Sequence, residues 1–133
     1  MHKTDHIGIA VKDLSVSIPL FEALLNTLCY KTEMVASENV KTAFFKAGET
    51  KIELLENTLE NGAIAKFIER KGEGIHHIAF EVEDIEAEMK RLSEKGFHLL
   101  SDKPKKGADN KLICFLHPKN TNGVLIELCQ EIK

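Results

Sequence analysis

The segment HIGIAVKDL at residues 6–14 returns as HIAFEVEDI at residues 77–85, with His, Ile, Val and Asp identical at an offset of 71. A second match follows in the same order: KIELLE at 51–56 aligns with LIELCQ at 125–130, at an offset of 74. The three extra residues fit inside the HPKNTNG turn of the second copy. Two matches nearly in register describe a duplicated chain, and duplication restricts the fold to two copies of one supersecondary unit. Each copy reads as a histidine-bearing strand, a helix, a polar lysine-bearing region, a strand containing phenylalanine and a strand carrying Ile-Glu-Leu.

Local signals fill in the plan. DHIGIAV is a strand, and Asp13 can cap a helix through Leu28 whose first turns Pro19 makes irregular. KTAFFKAG and TKIELLE form a hairpin turning at Gly48-Glu49, and residues 62–71 form a short helix ended by Gly72. The second copy has a strand at 75–82 and a helix capped by Asp84, with Ile85, Met89 and Leu92 on one stripe and Gly96 at its end. Strands near 98–100, 111–116 and 123–130 complete it. The expected architecture is α+β: two tandem βαβββ modules, about 4–58 and 74–131, joined by a helix at about 62–71. They share one curved mixed sheet system within a single domain spanning residues 1–133.

Neighbouring strand residues point to opposite faces, so His76 and His77 cannot serve the same purpose. His77, Ala79 and Glu81 share one face, with His76, Ile78, Phe80 and Val82 on the other. In the first copy His6, Gly8 and Ala10 lie opposite Asp5, Ile7, Ile9 and Val11. The bulky sets must pack against helices, which leaves His6 and His77 on a face of small residues with room for a ligand. Glu53 and Glu127 occupy repeat-equivalent strand positions, and VLIELC around Glu127 reads as buried on both sides. An ionised carboxylate there is costly unless paired with a cation or bound to a metal. Two histidines and two glutamates at matching positions are the donor set of one shared divalent cation: His6, Glu53, His77 and Glu127. Mixed imidazole and carboxylate ligation suits cobalt, manganese, nickel, iron or zinc.

The remaining candidates carry less. His2 is terminal, His98 begins a short strand, and His117 either lines the site or shapes the turn before Pro118. The basic, loop-like stretch DKPKKGADNK at 102–111 could contact phosphates or be a solvated face. A net charge of −3 and the absence of Trp argue against nucleic acid as partner. No apolar run reaches the 18 or more residues of a membrane span, and MHKTDH has no apolar stretch of a signal peptide. Cys29, Cys114 and Cys129 read as buried free thiols of a reducing compartment, which makes the cytoplasm the default location.

DHIGIAVKDL, GETKIELLE, IAKFIERKGEGIHHIAFEVEDIEAEMKRLSEKG and FLHPKNTNGVLIEL resemble the methylmalonyl-CoA epimerase family of the vicinal oxygen chelate (glyoxalase) superfamily, over about residues 5–130. The resemblance implies paired βαβββ modules around one divalent ion, with Co2+ favoured and Mn2+, Ni2+ or Zn2+ as alternatives, an acyl-CoA substrate and a homodimer. Carried over by position, its ligands fall on His6, Glu53, His77 and Glu127, the four that the repeat selects. Two features depart from the family pattern. Some members have Gln at the position of Glu53, and some place a second catalytic glutamate where this chain has Thr42, which has no basic group. The implied reaction exchanges the C2 proton between epimers, with Glu127 expected as one acid/base and Glu53 as the other.

Two other readings stay open. A glyoxalase-I-like isomerase of a glutathione thiohemiacetal would need cations for the glutathione carboxylates, yet the only arginines, Arg70 and Arg91, fall on helices. A non-catalytic protein that sequesters small molecules would favour aromatic walls, and aromatic content here is 6 %. A dioxygenase fits less well, since its facial triad takes two histidines and one carboxylate.

Overall fold

In the computed structural model, which describes residues 1–133, the elements run in the order β1 (Lys3–Val11), α1 (Leu14–Leu25), β2 (Lys31–Val35), β3 (Val40–Ala47), β4 (Thr50–Asn57), α2 (Ala63–Lys71), β5 (Gly74–Glu81), α3 (Ile85–Glu94), β6 (Lys105–Lys106), β7 (Lys111–Leu116) and β8 (Ile126–Glu131). The βαβββ order therefore occurs twice, with α2 between the copies. The chain gathers into two units: His6–His76, and Met1–Asp5 together with His77–Lys133.

In the first unit the strands are ordered β2-β3-β4-β1, with β4 and β1 parallel and the other pairs antiparallel. The β3–β4 hairpin closes through the two residues Gly48-Glu49, with Gly48 at φ +67°; a tight hairpin needs such a left-handed residue. One sheet face carries Ala43, Phe45 and Leu54, which pack with Val11 and Leu14 and with Ile18, Phe21 and Leu25 of α1. The second unit repeats this as β5-β8-β7-β6, with β5 parallel to β8. Ile85, Met89 and Leu92 of α3, the stripe expected from the sequence, pack against Cys114, Leu116 and Leu128.

The duplication extends to the helix caps. Asp13 and Asp84, 71 residues apart in sequence, each accept a hydrogen bond from the first turn of their helix. The first backbone N–H of each helix is also held by a side chain from the end of the last strand of its own copy. Leu14 donates to Glu56 Oε1 and Ile85 donates to Gln130 Oε1, both at 2.7 Å. These bonds satisfy donors that a helix start leaves open, and they fix where each helix leaves its sheet.

Several expectations are corrected. Helix α1 stops at Leu25 because Asn26 adopts the left-handed conformation, φ 52°, that closes a helix. It is continuous over Leu14–Leu25 with Pro19 inside it. The polar region at 31–35 is the strand β2, whose alternately exposed residues hide it from a hydrophobicity reading. The strand expected near 98–100 is a single bridge between Leu99 and Leu116, and its continuation is the two-residue β6. The first five residues belong with the second copy: the His2 N–H donates to the Glu81 carbonyl at 2.9 Å, and Lys111 Nζ lies 2.6 Å from Asp5 Oδ1.

Candidate active site

Sheet register decides what shares a face with each histidine. In the first unit Gly8 pairs with Glu53 across β1 and β4, and Glu53 pairs with Phe44 across β4 and β3. One face therefore collects His6, Gly8, Ala10, Glu53, Phe44 and Thr42, opposite the face that packs on α1. In the second unit Ala79 pairs with Glu127, and Glu127 with Phe115. The matching face holds His77, Ala79, Glu127, Phe115, Ile113 and Cys129.

Within each unit the structure brings the expected histidine to its expected glutamate. His6 Nδ1 lies 3.2 Å from Glu53 Oε2, and His77 Nε2 lies 3.1 Å from Glu127 Oε1. All four residues are at most 5 % exposed. Two donor atoms each about 2.1 Å from one ion are about 3.0 Å apart at a right angle and about 3.4 Å apart at a tetrahedral angle. Both observed separations fall in that window, so each pair has the spacing of a cis ligand pair. The donor chemistry fits a borderline divalent ion as well.

The surroundings of each pair are buried. Phe44 and Phe115 stand beside Glu53 and Glu127 at equivalent register positions, and the Phe115 ring meets His77 edge-on at 5.6 Å and 89°. Such an edge contact restricts rotation of the imidazole. The sequence reading placed a phenylalanine in each of these strands without giving it a role. Thr42, marked in the sequence only as a departure from the family pattern, has its Oγ1 buried without a hydrogen-bond partner.

The other histidines have separate tasks. His76, on the opposite face from His77, packs edge-on against Phe67 of α2 with centroids 5.0 Å apart. His117 Nδ1 accepts a hydrogen bond from the Lys119 N–H and so shapes the turn after β7. His98 packs near His117, and His2 lies beside the carboxylates of Glu81 and Glu83. Lys111 leaves the group of basic residues that could meet phosphates, because it is buried in its ion pair with Asp5. No helix is long and apolar enough to cross a membrane.

A model of the Glyoxalase/Bleomycin resistance protein/Dioxygenase superfamily matches residues 5–115. The chain belongs to this superfamily. Within it, the chain is 41 % identical to the ethylmalonyl-CoA/methylmalonyl-CoA epimerase of Cereibacter sphaeroides, over 96 % of this chain and 97 % of that one. It is 36 % identical to the human mitochondrial methylmalonyl-CoA epimerase, over 96 % of this chain and 73 % of that one. A Streptomyces coelicolor methylmalonyl-CoA epimerase variant in complex with 2-nitronate-propionyl-CoA superposes with a TM-score of 0.95 at 35 % identity, covering 100 % of this chain and 99 % of that one. The chain thus has the glyoxalase-superfamily fold along its length, and methylmalonyl-CoA epimerases are among its relatives.

Proposed function

We propose that this protein is a methylmalonyl-CoA epimerase, an isomerase that interconverts the (R) and (S) configurations at C2 of the acyl group. The observation that carries the reading is the twice-repeated, buried histidine–glutamate pair at ligand spacing on a face of small residues. The full-length similarity to epimerases of this substrate supports it.

The C2 proton lies between a thioester carbonyl and a carboxylate, so its removal leaves charge on oxygen. A positioned base contributes about 10²- to 10⁴-fold, less than the 10⁶-fold or more typical of enzymes. His6, Glu53, His77 and Glu127 would hold a divalent ion, Co2+ by family resemblance, which when bound supplies Lewis-acid stabilisation of that charge. In one direction the ionised Glu127 carboxylate takes the C2 proton while the protonated Glu53 carboxyl delivers its own proton to the opposite side of C2. The reverse direction exchanges the two roles, so each epimer forms from the other. Gly8 and Ala10 share the face of His6, and Ala79 that of His77, so the side chains beside each histidine are small. Phe44 and Phe115 keep water from the carboxylates, which strengthens every charge interaction there.

The test is turnover of (S)-methylmalonyl-CoA in deuterium oxide. Appearance of the (R) epimer with deuterium at C2 is the expected result; full retention of the original proton would contradict exchange through two bases. The glutathione thiohemiacetal of methylglyoxal, run beside it, tests the glyoxalase-like alternative. That alternative finds no support in the arginines: Arg91 is tied to Glu88 at 2.5 Å on α3, and Arg70 lies on α2.

We further propose a homodimer in a reducing cytoplasm. Val16, Leu20 and Leu24 follow one another at helical spacing on α1 and are each 62–70 % exposed. A contiguous apolar stripe of this kind marks an interaction surface, and its occupant is a second copy. Sedimentation equilibrium of Leu24→Glu should give the monomer mass where the unmodified chain gives twice that mass; a dimer retained in the variant rules this helix out. Free Cys114 and Cys129, both buried, fit a compartment that keeps thiols reduced.

A further inference from the structure

We infer that Thr42 is a specificity-determining residue whose hydroxyl donates a hydrogen bond to an oxygen of the 2-carboxyacyl group of the substrate. The inference rests on the epimerase reading and adds to it a contact outside the histidine–glutamate set. Thr42 is fully buried, and its Oγ1 has no hydrogen-bond partner within the chain. A buried hydroxyl left in that condition is destabilising, and native structures rarely keep one without a reason.

Its position supplies the reason. Thr42 lies on β3 two residues from Phe44, the register partner of Glu53, so it shares the face of His6 and Glu53. Around it on that face are Val40, Phe44 and Leu55, none of which can accept a hydrogen bond from it through a side chain. Glu33, its register partner on β2, is directed to Lys31, with 3.8 Å between Oε1 and Nζ.

The duplication provides an internal comparison. Phe44 and Phe115 both pair with the site glutamate of their own copy, which makes Ile113 the equivalent of Thr42. Ile113 packs with Ala79 and Cys129 in an apolar cluster. The fold therefore accepts an apolar side chain at this register position. The hydroxyl in the first copy adds a donor that packing does not need, on the face where an anionic acyl group must sit. A hydroxyl has no basic group, so it positions the substrate while proton transfer stays with the two glutamates.

Thr42→Val, which removes the hydroxyl and keeps the branch, and Thr42→Ser, which keeps the hydroxyl, separate contact from packing. The full chain loaded with Co2+ is titrated with malonyl-CoA and with unacylated CoA, its melting temperature is measured, and kcat/KM for methylmalonyl-CoA is determined. Thr42→Val should melt no lower than the unmodified chain, bind CoA equally, and lose about 10- to 100-fold in malonyl-CoA affinity and kcat/KM, the range for a lost hydrogen bond to a charged group. Thr42→Ser should stay within about threefold of the unmodified chain. Unchanged malonyl-CoA affinity in Thr42→Val overturns this inference alone. Absence of turnover by the unmodified chain overturns the epimerase reading and this inference with it.

Discussion

The ion pair between Asp5 and Lys111 joins residues 106 apart in sequence, and both partners are buried, at 1 % and 4 % exposure. Removing one partner of such a pair leaves an uncompensated charge in a dry setting, at a cost of about 3–5 kcal/mol. With an unfolding entropy of about 2.1 cal/mol/K per residue and 133 residues, that corresponds to a fall in melting temperature of about 11–18 °C. Lys111→Met and Asp5→Leu should each show this loss. The double variant replaces both charges with apolar groups and should return to within about 1–2 kcal/mol of the unmodified chain. The assay is a double-mutant cycle by urea unfolding, checked for a constant dependence on denaturant. Single variants costing under about 1 kcal/mol, with an additive double variant, would be the behaviour of a solvated surface pair. That result would refute the claim that this contact holds the first five residues to the second copy.

Glu53→Gln should keep the fold and lose at least about 100-fold in C2 proton exchange, measured by deuterium incorporation, because a general base is worth that much. Near-normal exchange with weakened metal binding would leave Glu53 a ligand only. The Arg91 guanidinium beside Glu88, helped by the N-terminal ammonium, holds the Glu88 carboxyl below its ordinary value of 4.5. A carboxyl depressed in the folded state adds stability above its unfolded value and loses it as the pH falls through the folded one. The gap in melting temperature between the unmodified chain and Arg91→Ala should therefore be full at neutral pH and close on acidification below 4.5. Burial pushes the Cys114 thiol up and Cys129 is also buried, whereas Cys29 is partly exposed. An aromatic disulfide reagent at about pH 8 should label Cys29 quickly and the other two only on unfolding.

The site was legible in the sequence to the extent that duplication exposed it. His6 and His77 align with each other, as do Glu53 and Glu127, and strand alternation put each histidine on the face of small residues. The structure then set each histidine within 3.2 Å of its glutamate. The caps at Glu56 and Gln130 were also written in the alignment, since those residues match each other as Leu14 matches Ile85. Asp5 and Lys111 left no such trace, because their partnership depends on how distant segments fold together. Strand β2 escaped because four of its five residues stay partly exposed or exposed before buried Val35 ends an alternating run, and β6 because two residues carry no period. Thr42 was visible only as a departure from a family pattern. Its unpartnered hydroxyl is a property of packing, which no local spacing encodes.

If the two histidine–glutamate pairs hold one divalent ion, as proposed, C2 exchange fails without it. The most direct measurement is epimerisation by chelator-treated protein, with single divalent ions added back and bound metal counted in parallel. The expected outcome is about one ion per chain, loss of exchange on chelation, recovery with Co2+, and loss of both binding and exchange in the His6→Ala and His77→Ala variants. Full-rate exchange by metal-free protein, or unchanged metal content when both histidines are replaced, would contradict it.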